Sequence, residues 1–248
     1  MHGLGTIINA SAIVAGSAIG TLAGNRLSPR TQDTLTDGLG LIVLVVGALN
    51  VVSLGDRAYV RAVTAHGTLL VVLGAVVFGA IVGSSLRIED RVARLGAWAH
   101  DRLSRGGASA DRERFIEGFV SGSLLFCIGP LAILGALSDG LGHGIDQLVL
   151  KSALDMFAAM AFSASLGWGV ALAAVPVALY QGTITVLGVA LGSFLPAAEV
   201  SALTATGGVL LIAIGLRLLR IREVRVADLL PALAFAPAIT AIVVAVRG

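Results

Sequence analysis

Lys151 and Asp155 are the residues of this 248-residue chain whose types and spacing most directly offer chemistry. They stand four apart in KSALDMFAAM, so one helical face carries both. If that stretch lies in a membrane, each charge costs about 2.5 to 3.5 kcal/mol on insertion scales, and a neighbouring opposite charge lowers the cost. Breaking such a pair can gate a proton or a cation; left intact, it fixes helix packing. The second candidate is the Gly129-Pro130 step inside FIEGFVSGSLLFCIGPLAILGALSDGL. Proline has no N–H and glycine loosens the turn, so a helix interrupted there frees the carbonyls of Phe126 and Cys127 to face a ligand. An ordinary proline kink is the alternative. Asn9, Ser123, Gln181 and Thr183 could add amide and hydroxyl contacts, with Gln181 and Thr183 following Pro176 in a second weakened stretch. Serine and threonine often bond their own helix backbone instead.

These groups need elements to position them, and the composition says which. Hydrophobic residues make up 56% of the chain and charged residues 13%, with 32 glycines, too little polar surface for a soluble fold of this length. Runs long enough to cross about 30 Å of hydrocarbon fall at 3–24, 35–53, 67–86, 115–138, 147–166, 169–195, 201–219 and 228–246. The expected fold is therefore an all-α polytopic membrane protein of about eight transmembrane helices. Lipid leaves no other way to satisfy the backbone, and the alternation of a barrel strand is missing. MHGLGTIINA lacks the basic start of a cleavable leader, so the first run is expected to stay as a span.

Arginine sets the orientation. The odd-numbered connections hold 13 arginines, among them Arg87, Arg91, Arg94, Arg102 and Arg105, against Arg57, Arg61, Arg247 and Lys151 on the other side. Both termini are thus expected outside the cytoplasm. The segment 87–103 places Ile88, Val92, Leu95 and Ala99 on one stripe with Trp98 beside it, which reads as a cytoplasmic interfacial helix.

An internal repeat is also legible. GTIINASAIVAGSAIG at Gly5 resembles GTITVLGVALGSFL at Gly182, and each precedes a G-x6-G frame, Gly40 to Gly47 and Gly208 to Gly215. Five spans separate the copies, an odd number, so the second must cross in the opposite sense, an inverted-topology repeat with interrupted helices. The chain then reads as a single transmembrane domain. Its parts are the first repeat-containing helices over 1–86, a cytoplasmic amphipathic connection over 87–114, a central pair with a broken helix over 115–166, and the second repeat-containing helices over 169–248. Gly16-x3-Gly20-x3-Gly24, Gly79-x3-Gly83 and Gly188-x3-Gly192 offer smooth faces for close helix packing, within the chain or in a homo-oligomer.

Other classes drop out. A net charge of +2, with basic residues in short blocks, gives no nucleic-acid face. One cysteine allows no disulfide framework or thiolate metal cluster. No P-loop, H-E-x-x-H or G-x-S-x-G motif occurs, and His2, His66, His100 and His143 all fall in predicted ends or loops, so neither an enzyme nor a cofactor is expected.

GTIINASAIVAG, LRIEDRVARLG, the run from Phe115, KSALDMFAAMAFSASLGWGV, YQGTITVLG and VADLLPALAFAP together resemble the YqgA-like and YdfK-like family of bacterial multi-pass membrane proteins, known by a domain of unknown function numbered 554. The resemblance covers essentially the whole chain. It implies a bacterial inner-membrane protein often described as a transport protein, and it supplies no site residues. From the side chains, the expected function is secondary transport of a small ion or polar solute, with a non-transporting scaffold or a channel as alternatives.

Overall fold

The structure is a computed structural model that describes residues 2–24, 28–91, 94, 98, 109–127, 130–142, 144–191 and 196–247. Among these residues every regular element is helical. Seven helices are long and apolar enough to cross a membrane, and a bent pair makes up to eight spans. Many large apolar side chains on them are exposed, including Leu22, Leu70, Phe157, Leu179 and Val186, as faces turned toward lipid require. The all-α polytopic expectation therefore holds. The chain divides into two compact units.

The first unit holds Met1–Leu39, Val92–Cys127 and Leu131–Phe194. Its helices are α1 (Leu4–Gly24), the start of α2 (Pro29–Val51), α5 (Ser109–Cys127), α6 (Pro130–Gly140), α7 (Asp146–Leu166), α8 (Gly169–Leu172) and α9 (Ala174–Leu191). Gly16, Gly20 and Gly24 of α1 lie directly on the main-chain carbonyls of Met156, Met160 and Ala164 of α7. Both sets advance by four in the same direction, so α1 and α7 run parallel with their backbones touching. A side chain at any of those glycines would push the helices apart.

α5 and α6 meet at 61°, the geometry of a broken span or of a re-entrant loop. Ile128 and Gly129 themselves lie outside the described residues, as does the side chain of Pro130. α6 is pinned by Gly140 against the Thr185 carbonyl and by the Thr185 hydroxyl, which donates to Ala136 O at 3.1 Å. The sixth span differs from its expected weak point. Gly169–Ala190 forms one span with only a tightened turn at Ala173, Pro176 sits in the first turn of α9, and the helix runs unbroken through Gln181, Gly182 and Thr183. The first three N–H groups of a helix have no partner within it, so a proline there disturbs nothing.

The second unit holds Gly40–Arg91, Ile128–Pro130 and Leu195–Gly248. It contains the rest of α2, α3 (Arg57–Val63), α4 (Ala65–Leu86), α10 (Ala197–Leu218) and α11 (Ala232–Arg247). The two G-x6-G frames pack on each other: a Cβ on Gly47 would lie 2.9 Å from Gly208 O, and one on Gly215 would lie 3.0 Å from Gly40 O. The pairing is antiparallel and reciprocal, the first glycine of each frame meeting the second of the other. Gly79 and Gly83 of α4 likewise lie against Ala232 and the Asp228 carbonyl.

α3, expected only as part of a connection, buries Tyr59 among Val63, Val71, Ala75, Ala202, Ala232 and Ala236. The Tyr59 hydroxyl donates to Thr68 O at 3.2 Å, and burial pushes the phenol up to about 12. At the far end of α4, Glu89 accepts from Arg217 Nη1 at 2.8 Å and from Ala227 N at 2.7 Å, while its own N–H donates to Asp228 Oδ1 at 2.9 Å. Most of the expected interfacial helix at 87–103 lies outside the described residues. The glycine faces of α1 and α4 are covered within the chain, so a second copy could use them only by displacing α7 and α11.

Two outcomes follow from this packing. Gly20→Val should cost about 1 to 3 kcal/mol or more, as overpacking does, and lower the thermal midpoint in detergent, whereas Gly182→Ala, whose added Cβ meets nothing within 4 Å, should be neutral or slightly stabilising. Because the Tyr59 phenol is raised from 10.0 to about 12 in the fold, the unfolded chain ionises first as pH climbs. Wild type should therefore lose stability between pH 10.0 and about 12 relative to Tyr59→Phe in alkaline melts.

Candidate functional site

The polar groups singled out in the spans gather in the first unit. α7 presents Lys151 and Asp155 one turn apart, and the ammonium Nζ donates to Asp155 Oδ2 as a tight ion pair. Both residues are buried, at 6% and 8% exposure, so the pair is desolvated and each charge relies on the other. α1 presents Asn9 from the register that its glycine face sets against α7, and the Asn9 amide lies near the Asp155 carboxylate without a hydrogen bond between them. α9 presents Gln181, whose Oε1 accepts from Asn9 Nδ2 at 3.2 Å. At the end of α5, Cys127 is within electrostatic reach of Lys151 and Asp155, and Tyr180 is within reach of Cys127.

Asn9 and Gln181 are both 0% exposed. Their mutual bond uses one half of each amide, leaving Asn9 Oδ1 and Gln181 Nε2 without a hydrogen-bond partner among the described residues. An unmet buried polar atom costs about 1 to 3 kcal/mol. One unused acceptor and one unused donor, buried in the same unit as a carboxylate and an ammonium, are what a small polar guest or a water would engage. Among the described residues no group of three or more His, Cys, Asp and Glu side chains could hold a metal.

The structure thus brings together Asp155, Lys151, Asn9 and Gln181. It separates two others from them. The Ser123 hydroxyl donates to Phe119 O at 2.5 Å and the exposed Thr183 hydroxyl to Leu179 O at 2.7 Å, each to the previous turn of its own helix. Both are backbone-bonded hydroxyls, and neither contributes to the cluster. Gly129 and the Pro130 side chain fall outside the described residues.

Sequence reasoning missed Asp139. This residue, 2% exposed, accepts from Gly3 N at 3.1 Å and Gly5 N at 3.0 Å, capping the start of α1 from the end of α6. The signal was available: GLGT offers no side chain to cap its own helix, so the donors had to find an acceptor elsewhere. Cys127 and Tyr180 were also passed over, since neither residue type marks a polar site by itself.

The model of the family described as "Protein of unknown function (DUF554)" matches residues 4–241. The chain is 31% identical to the uncharacterised protein YqgA of Escherichia coli (strain K12) over 238 residues, 96% of each chain. It is 27% identical to the uncharacterised membrane protein YdfK of Bacillus subtilis (strain 168) over 237 residues, 95% of this chain and 94% of that one. No solved structure matches.

A double-mutant cycle measures how strongly the ion pair is coupled. Lys151→Met and Asp155→Leu should each destabilise by about 3 to 5 kcal/mol, because each strands a buried charge, while the double variant should recover much of the loss. Additive losses in detergent melts would show that the two charges do not depend on each other.

Proposed function

The chain belongs to the DUF554 family, and from that premise we propose that it is a secondary transporter that carries a small ion or polar solute across the bacterial inner membrane. The observation that carries this reading is the centre of the first unit, where a buried ion pair adjoins two buried amides with unused hydrogen-bonding atoms. Polar groups left open at span depth are costly, and a guest that enters and leaves accounts for them. The 61° break between α5 and α6 supports the same reading, since irregular backbone at that depth is tolerated against protein or a water-filled cavity.

Alternating access needs two halves that exchange roles. The reciprocal contact between Gly40–Gly47 and Gly208–Gly215 supports an inverted repeat, because two copies related by an axis in the membrane plane meet in this isologous way. The arginine distribution supports termini on the outer side. The reading includes no catalytic step.

A second reading, a non-transporting scaffold, has one observation in its favour: Lys151 and Asp155 are buried directly against each other and satisfy their charges without a guest. Stopped-flow light scattering on proteoliposomes separates the two, using a panel of small salts and polar solutes under iso-osmotic gradients. Transport predicts saturable swelling with at least one compound, cut at least about tenfold in folded Asp155→Asn. Flux that does not saturate means a pore, and folded protein that passes nothing in the panel means a scaffold.

A further inference from the structure

We infer that the transported or coupling species is a small monovalent cation, and that the Lys151 ammonium is its tethered competitor for Asp155. This rests on the transporter reading and gives its site a ligand class. The groups that could take a cation are the Asp155 carboxylate, buried against Lys151 Nζ, the unpartnered Oδ1 of Asn9, whose Nδ2 donates to Gln181 Oε1 at 3.2 Å, and the closing turn of α5. Asn9 is 0% exposed, so its free acceptor faces protein and not lipid or bulk water.

The third group follows from covalent chemistry. Pro130 has no N–H, so the carbonyl of Phe126, four residues earlier, cannot receive the bond that a continuous helix would give it. Phe126 is itself fully buried. The last carbonyls of a helix carry partial negative charge, and Cys127, in that last turn, is close enough to the ion pair to sense both charges. Cations are favoured at such an end.

An anion has less to hold it. Its attractants would be Lys151 and Gln181 Nε2, and it would meet Asp155 one turn away. A divalent cation has one carboxylate here, with no cluster of three or more His, Cys, Asp and Glu side chains among the described residues to complete its shell. One carboxylate already neutralised by one ammonium matches a single positive charge. Lysine carries its charge on a flexible four-carbon stem, so the ammonium can leave the carboxylate while the backbone stays in place. Exchange of the ammonium for a free cation keeps the Asp155 carboxylate paired with one positive charge, while the lysine stem carries the displaced ammonium and its own charge away from it.

The test uses the full-length protein in detergent, at constant ionic strength, with thermal midpoint as the readout. Sodium, potassium or ammonium chloride replaces choline chloride, and in a parallel series gluconate and sulfate replace chloride. At least one small cation should raise the wild-type midpoint saturably, with no dependence on the anion. Asn9→Leu, which leaves the ion pair in place, should weaken that response roughly tenfold. Lys151→Met should bind the same cation roughly tenfold tighter, since its competitor is gone. If Lys151→Met does not fold, wild type and Asn9→Leu decide. A response that follows the anion, an equal response in Asn9→Leu, weaker cation binding in Lys151→Met, or no cation response in wild type overturns the inference. Cation silence with solute flux in liposomes removes this inference alone; saturable cation binding with no flux removes the transporter reading and leaves a cation site.

Discussion

Hydrocarbon offers no hydrogen bonds, and that single constraint organises the first unit. Every polar atom that α1, α7 and α9 carry inward must be satisfied by another part of the chain. The fold meets part of this demand by bringing α1 into backbone contact with α7 over Gly16, Gly20 and Gly24. That contact sets the register at which Asn9 lies near Asp155 and bonds Gln181. A wider spacing would take that amide away from the Asp155 carboxylate, whose hydrogen-bond partner in this cluster is Lys151.

The same need appears at helix ends. Asp139 supplies the acceptor that the start of α1 lacks, and Asp228 does so for Glu89 in the first turn of the helical stretch 88–91 that follows α4. In both cases an acid from a distant stretch completes a helix terminus, so that two segments are fixed by charge-assisted bonds that apolar packing alone would not orient. Gly83 brings the second of these pairs close by lying on the Asp228 carbonyl, and Gly140, beside Asp139, seats the end of α6 on the Thr185 carbonyl of α9. The site centre differs from these caps: there the polar atoms outnumber the bonds among the described residues.

Much of this was legible in the sequence, for reasons that differ by residue. Span positions follow from apolar run length, which lipid thickness dictates, and so the eight expected runs correspond to seven long helices and a bent pair. Lys151 with Asp155 was legible because an i, i+4 spacing needs no tertiary information. Asn9 with Gln181 was legible by type, while their pairing depends on helix register, which glycine spacing does not fix numerically. Ser123 and Thr183 went astray because a hydroxyl in a helix can always turn to its own backbone. Pro176 misled for a related reason: a proline signals a break only beyond a helix's first turn. Asp139 escaped notice because an acid before glycine at the end of an apolar run looks like solvent-facing loop.

The central claim is that the polar centre of the first unit opens to water during a working cycle. Cys127, the chain's single cysteine, stands beside it and reports on it without any substitution. The direct measurement is the rate at which a small, charged, membrane-impermeant thiosulfonate modifies Cys127 in sealed vesicles of both orientations. The account predicts modification of the folded protein from each side in turn, at rates that change in Asp155→Asn. A thiol inert from both sides, yet fully reactive once the protein is denatured, would contradict it.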